Sequence, residues 1–285
     1  MLLAVALTIP GIDGTARADA VDVQPAGSAP IPAGPAEAWI VADMDSGQVL
    51  AGRNEDRHYA PASTIKTLLA QVVLDEVPLD STIVAVEADT EVECNCAGVA
   101  PGQTYTARQL LDGLLLVSGN DAANTLARML GGTETALAKM NAKAALAGAH
   151  GTNAGSVSGI DGPGIAMWST AHDIAVIFRS AMSYPVFAEI AAQPSAVFPT
   201  ETGQRVLVNQ NEMLGRYPGM LAGKTGYTDL ARKTYVGAAH RDGRNLVVVL
   251  MHGLVTEGGP TYWDQASSLL DWGFGLDRGA GVGVL

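Results

Sequence analysis

The chain has 285 residues, 48% of them apolar and 16% charged, and carries a formal net charge of −12 at pH 7. That length buries a sizeable core and suits one large or two small domains, and the composition excludes a disordered or collagen-like chain. The negative balance and the absence of any Lys/Arg cluster exclude a phosphate track, so no nucleic-acid partner is expected.

Residues 1–20, MLLAVALTIPGIDGTARADA, join a short apolar core, Leu2–Ile9, to the small-residue pattern Ala18-Asp19-Ala20. They read as a secretory signal peptide, although the basic residues that usually precede the apolar core are missing. An extracytoplasmic protein, secreted or wall-associated, is therefore expected. No later segment approaches the ~18 unbroken apolar residues of a membrane span. Residues 21–36, rich in Pro, Ala and Gly, read as an N-terminal arm.

Ala38–Val41 and Gln48–Ala51 flank Met44-Asp45-Ser46-Gly47 in a strand–turn–strand pattern. After Pro61, the residues Ile65, Leu68, Leu69, Val72 and Val73 fall at helical spacing and predict an amphipathic helix. Residues 77–106 are mixed, with a candidate strand at Thr82–Val86. The chain's two cysteines lie here, Cys94 and Cys96. They suit a local disulfide staple in an exported chain or two free thiols, and they lack the further ligands of a metal site. Helices are predicted at Ala107–Val117, Ala122–Leu130, Thr135–Leu146 and Thr170–Met182, with a Gly-rich loop before the last. Val206–Val208, Met220–Thr225, Thr234–Ala239 and Leu246–Met251 read as strands, the last two joined by the hairpin turn Arg241-Asp242-Gly243-Arg244. Tyr262–Trp272 is a closing helix.

Strands at both ends around inserted helices imply an antiparallel sheet of about five strands flanked by helices. The expected fold is α/β of the α+β kind. Its sheet part spans about 37–76 and 196–275, with an all-helical subdomain over about 77–195 and a short tail at 276–285.

Three short motifs carry the chemistry. Pro61-Ala62-Ser63-Thr64-Ile65-Lys66 sets a serine and a lysine one helical turn apart, a spacing that serves a helix-capping serine and a solvated lysine as well as a nucleophile and its base. Ser118-Gly119-Asn120 sits between two helices and is ordinary loop composition by itself. Lys224-Thr225-Gly226 lies on a predicted strand. The surrounding Gly219–Thr225 is not a P-loop, since it is one residue short between its glycines and is followed by a turn and a strand rather than a helix. The five histidines, His58, His150, His172, His240 and His252, form no H-E-x-x-H pair, and no G-x-S-x-G elbow occurs.

Taken in order, STIK, SGN and KTG resemble the motif set of penicillin-binding proteins and serine β-lactamases. The longer segments AWIVADMDSGQVLAGRN, LLDGLLLVSGNDAANTLA and AGKTGYTDLARKTYVGAA extend the likeness over roughly residues 38–275. The chain resembles the serine D-alanyl-D-alanine carboxypeptidases, the low-molecular-mass penicillin-binding proteins of the β-lactamase/DD-peptidase-like fold.

The resemblance implies an exported peptidase of the cell wall, linked to cell shape, that removes the terminal D-Ala from peptidoglycan pentapeptides through an acyl-Ser63 intermediate. β-Lactams would acylate the same serine. Lys66 would be the base, Ser118 would relay a proton to the leaving amine, and Asn120 would hold Lys66 and the substrate amide. The N–H groups of Ser63 and Tyr227 would form the oxyanion hole. Lys224, Thr225 and Thr228 would meet the substrate carboxylate, and Gly226 would let the strand edge approach. No metal or cofactor is implied, and a monomer is expected. The loop AHGTNAGSVSGIDGPG holds no glutamate of the kind class A β-lactamases use for deacylation, so slow release of a penicilloyl group is expected. The carboxylate-binding arginine of some relatives has no counterpart in MHGLVTEGGPTYWDQ. DD-endopeptidase or β-lactamase action, or a wall-binding module without turnover, are the alternatives on the same site.

The chemistry itself requires a neutral Lys66. A serine hydroxyl is a weak nucleophile until a base takes its proton, and burial beside a second cation, Lys224, is how a lysine becomes that base.

Overall fold

The computed structural model describes residues 22–254 and 257–285, and the candidate signal peptide lies outside them. From the N-terminus, β1 (Asp22–Val23), β2 (Ala36–Asp43) and β3 (Gln48–Arg53) lead to a 3-10 turn, Ala62–Ile65, that runs directly into helix α1 (Lys66–Glu76). A mainly helical section follows, with β4 (Thr82–Val84), α2 (Glu87–Thr90), β5 (Thr104–Thr106), α3 (Ala107–Leu116), α4 (Asn120–Met129) and α5 (Thr133–Ala147). It continues through α6 (Ala171–Met182), α7 (Pro185–Ala192), β6 (Ser195–Thr200), β7 (Gly203–Val208) and α8 (Met213–Arg216). The chain returns with β8 (Met220–Thr228), β9 (Arg232–Arg241) and β10 (Arg244–Gly253), then α9 (Tyr262–Phe274) and β11 (Gly283–Val284).

The strands β1-β3-β2-β10-β9-β8 lie side by side, and β11 also pairs with β3, making a sheet of seven. All pairings are antiparallel. The predicted antiparallel frame is present, built from both ends of the chain. Its central strands alternate between two cores. Ile40, Val247 and Val249 face the helical section, while Trp39, Val41, Leu246, Val248 and Leu250 face α9. With both faces covered, these strands read as unbroken apolar runs rather than as a polar/apolar alternation. The β9–β10 hairpin turns on Asp242 and Gly243, both at positive φ (50° and 69°), as a two-residue turn matched to strand twist demands.

The arm and the tail are part of the sheet. Asp22 and Val23 pair with Arg53 and Gly52, and Gly283 and Val284 pair with Val49 and Gln48, so the two ends share the outer edge of β3. This closes a row of unpaired backbone groups that would otherwise template aggregation. Pairings two residues long carry no periodicity, which is why 21–36 and 276–285 read only as arm and tail. The Trp272 indole also donates to the Ala29 carbonyl at 2.9 Å.

Two features differ from the sequence reading. The α1 stripe predicted one apolar face, yet every residue from Lys66 to Val73 is buried, because α3, α4, α5 and α6 all pack against the helix. Its polar residues find partners: Gln71 donates to the Ile177 carbonyl at 3.1 Å and accepts from Ser180 at 2.7 Å. The second concerns residue 196, where the sheet part was expected to resume. The β6–β7 ribbon instead packs on α3, with Phe198 and Leu207 buried in that core and Phe198 stacked on Tyr105 at 5.2 Å. The inserted section therefore holds two small ribbons, β4–β5 and β6–β7, and is not all-helical. The chain rejoins the sheet at β8.

Candidate active site

Ser63 stands in the 3-10 turn before α1, and no side chain caps either element. Its hydroxyl is therefore no helix cap; it lies 2.8 Å from Lys66 Nζ and 3.2 Å from the Ser158 carbonyl oxygen. Lys66 Nζ also lies 2.7 Å from Asn120 Oδ1, 2.6 Å from the Ser158 carbonyl oxygen and 3.4 Å from Ser118 Oγ. The lysine is fully buried, and among the described residues no carboxylate pairs with it. Burial and the charge of Lys224 hold its pKa well below the ordinary lysine value, against an opposing pull from Asp121. A neutral amine carries two N–H groups. Asn120 Oδ1 and the Ser158 carbonyl can only accept, so they take both protons and leave the lone pair for a hydroxyl.

The second motif is held by backbone as much as by side chains. Ser118 has φ of 60°, a left-handed conformation that costs a non-glycine residue energy and recurs at functional sites. At Gly119 a Cβ would come 2.8 Å from Asp121 Oδ1 and 3.0 Å from Ala97 N, so a side chain there would break the turn. Asn120 opens α4 with its Oδ1 on Lys66, while its Nδ2 donates to the Glu93 carbonyl and its backbone N to the Asn95 carbonyl, both at 2.7 Å. Asp121 is buried and accepts from the backbone N–H groups of Ala97, Gly98, Val99 and Ala122, each at 2.8 Å. Cys94 and Cys96 form a disulfide inside the loop so anchored.

The third motif lies on the edge strand β8. Lys224 is buried, which lowers its pKa to about 7, and its Nζ donates to the Thr225 carbonyl at 2.7 Å. A Cβ at Gly226 would sit 2.9 Å from Ser63 N, so glycine is what lets the strand pass the serine. Thr234, on β9, donates to the Pro61 carbonyl at 3.0 Å and ties the sheet to the Ser63 turn. Tyr227 is half exposed, its hydroxyl donating to Asp229 at 3.0 Å. Thr228 is engaged within the protein: its hydroxyl donates to Asp161 and accepts from Ala231 N.

A cleft of about 540 Å³ opens over this assembly, lined by Ser63, Ser118, Asn120, Thr225, Gly226, Tyr227 and Thr228. Lys66 and Lys224 lie buried beneath it. All nine residues singled out in the sequence thus meet around one cleft. Ser158, Gly159 and Asp121 were missed as site residues. Ser158 acts here through its backbone carbonyl, which any residue type supplies. Gly159 (φ 84°), where a Cβ would stand 2.8 Å from Ser63 N, was legible only as part of a Gly-rich loop. Asp121 directly follows the Ser118-Gly119-Asn120 motif, and its buried role beneath the loop shows only in the fold. Among the described residues no group of three or more His, Cys, Asp or Glu side chains could hold a metal ion.

A sequence profile of the family Peptidase_S11, D-alanyl-D-alanine carboxypeptidase, matches residues 25–254. The chain belongs to that family. It is 67% identical over 264 residues to D-alanyl-D-alanine carboxypeptidase DacB2 of Mycobacterium tuberculosis, spanning 93% of this chain and 91% of the relative. A crystal structure of a D-alanyl-D-alanine carboxypeptidase from M. tuberculosis H37Rv superposes with a TM-score of 0.91 at 66% identity, covering 92% of this chain and all (100%) of the other. The Streptomyces K15 DD-transpeptidase superposes with a TM-score of 0.81 at 28% identity, over 87% of this chain and 100% of that one. Membership makes the chain a serine peptidase and its fold that of the DD-peptidases. Among the described residues no single helix is long and apolar enough to cross a membrane.

Proposed function

We propose that this protein is an exported serine D-alanyl-D-alanine carboxypeptidase that removes the terminal D-Ala from peptidoglycan stem peptides. The observation that carries the reading is the environment of Lys66 Nζ, 2.8 Å from Ser63 Oγ with its two N–H groups taken by Asn120 and Ser158. Neutral Lys66 takes the Ser63 proton as Oγ attacks the penultimate carbonyl carbon. The developing oxyanion is met by the backbone N–H of Ser63, at the start of the helix, and by that of Tyr227 on strand β8. Ser118 passes the proton from Lys66 to the amine nitrogen as the C–N bond breaks, and D-Ala leaves. Water then attacks the acyl-Ser63 ester, giving up its proton to Lys66, and the free serine and shortened peptide are released.

The same serine would open a β-lactam ring. Residues 149–164 contain no glutamate, and Asp161 within them is bonded to Thr228, so this loop offers no free carboxylate to activate a deacylating water. The penicilloyl ester should persist. Export rests on the signal-peptide pattern of residues 1–20.

Incubation with a labelled penicillin and with a peptide ending in D-Ala-D-Ala tests this. An adduct on Ser63 together with free D-alanine is expected. An adduct without D-alanine release would point to an endopeptidase or a binding module, and rapid loss of the adduct to a β-lactamase. No adduct, or an undiminished one in Ser63→Ala, would refute the mechanism.

A further inference from the structure

The cleft has a cation that no motif assigns. Among the described residues that line it, Lys233 is the only lysine or arginine. The acidic residues Glu93, Asp161, Glu212 and Asp229 line the same cleft, so an incoming carboxylate meets a wall of its own sign except at this one point.

Lys233 sits at the start of β9, directly opposite Tyr227 on β8. Thr225 pairs with Tyr235, two residues further along the same strand. Side chains alternate along a strand, so Thr225, Tyr227 and Lys233 share one face of the sheet edge, with Lys233 diagonal to Thr225. Diagonal neighbours stand roughly 7–8 Å apart at the backbone, a gap that a long lysine chain closes. The ammonium rests 4.7 Å from the ring centre of Tyr227 and 6.0 Å from that of Tyr262. Among the described residues it forms no ion pair, so two aromatic faces hold it and no acid neutralises it.

The other candidates are occupied. The Lys224 ammonium is buried and donates to the Thr225 carbonyl, and the Thr228 hydroxyl is shared between Asp161 and Ala231 N. The segment 251–265, MHGLVTEGGPTYWDQ, contains no lysine or arginine. We propose that Lys233, with the Thr225 hydroxyl, binds the C-terminal carboxylate of the substrate and the carboxylate of β-lactams. The assignment deepens the carboxypeptidase reading and rests on it. It also replaces Thr228, read from sequence as a carboxylate ligand, by a residue whose position depends on strand register.

The test compares wild type, Lys233→Gln and Lys233→Arg on a peptide ending in D-Ala-D-Ala and on the same peptide as its C-terminal amide. Labelling of Ser63 by an uncharged fluorophosphonate serves as the reference for an intact nucleophile. Lys233→Gln should lower kcat/KM for the acid by about 10- to 100-fold, the worth of a hydrogen bond to a charged group, and leave the amide nearly unchanged. Lys233→Arg should restore most of the preference for the acid. An unchanged acid-to-amide ratio in Lys233→Gln overturns the assignment. So does an equal loss on both substrates, since that reports a structural role. Should Lys233→Gln fail to label, the ratio is read in Lys233→Met, which keeps an aliphatic stem over Tyr227. If wild type labels but cleaves neither peptide, the carboxypeptidase reading fails by itself. Lys233 is then judged on acylation by benzylpenicillin against its methyl ester, with the same two outcomes.

Discussion

Asn120 Oδ1 lies 2.7 Å from Lys66 Nζ, and the same side chain's Nδ2 lies 2.7 Å from the Glu93 carbonyl. The amide therefore spans from the base at the cleft floor to the cysteine loop at its rim. Its orientation is fixed at both ends: the oxygen must face the amine and the nitrogen must face the carbonyl. Removing it leaves a proton of Lys66 without an acceptor and frees the lone pair to turn away from Ser63. Asn120→Ala should slow acylation of Ser63 by about 100-fold, the lower range of general-base catalysis, which stopped-flow acylation by a fluorescent penicillin would measure. Asn120→Asp should also be slow, because a carboxylate beside Lys66 would hold it as an ammonium.

The two buried lysines give opposite limbs to the pH profile. Lys66 is active when neutral, so kcat/KM rises as pH climbs through its depressed pKa. Lys224 shapes the site's charge when protonated, and burial sets its pKa at about 7, so kcat/KM should fall as pH rises past that point in the free enzyme. A bell with its alkaline limb near neutrality is the expected outcome of a kcat/KM titration. Lys224→Gln should lose the alkaline limb and move the acid limb to higher pH, because the charge that helps depress the Lys66 pKa is gone.

Asp121 acts on the same base from a distance. Its charge raises the Lys66 pKa, and its oxygens anchor three consecutive backbone N–H groups of the cysteine loop. Asp121→Asn removes the charge, so the acid limb of kcat/KM should move to lower pH. An amide nitrogen facing donors should also cost about 1–3 kcal/mol of stability, read from denaturant unfolding. A residue that only supported the loop would lower stability and leave the limb where it was.

How far the molecule could be read from its sequence depends on what kind of group does the work. Ser63, Lys66, Asn120 and Lys224 act through their own side chains, so residue type and order were enough to find them. Ser158 contributes a carbonyl and is invisible by type. Lys233 is an unremarked lysine until the β8–β9 register sets it across from Tyr227. The central strands were legible from continuous apolar runs, whereas β6 was not, because Val197 and Val206 point outward on a ribbon whose buried face is only Ala196, Phe198 and Leu207. The turn Arg241–Arg244 was legible as a hairpin, but nothing local showed that Arg244 folds inward. It is buried, its Nε 2.8 Å from Asp43 Oδ2 and its Nη1 on the carbonyls of Gly273 and Leu276 at 3.2 Å.

That pair supplies a stability prediction far from the chemistry. Arg244→Met leaves the Asp43 carboxylate buried without its countercharge and frees two carbonyls at the end of α9. It should cost about 3–5 kcal/mol in equilibrium unfolding. The folded fraction should still acylate at the wild-type rate, because neither residue lines the cleft.

The central claim is that Lys66 is neutral when Ser63 attacks. NMR of the protein labelled with ¹³C at lysine Cε tests it most directly, the Lys66 signal being identified by its loss in Lys66→Met. The account predicts a neutral-amine shift for Lys66 at about pH 7, moving to the ammonium position only on acidification. An ammonium shift that persists from pH 7 to the ordinary lysine range of about 10 would contradict it, because Lys66 could then not take the Ser63 proton.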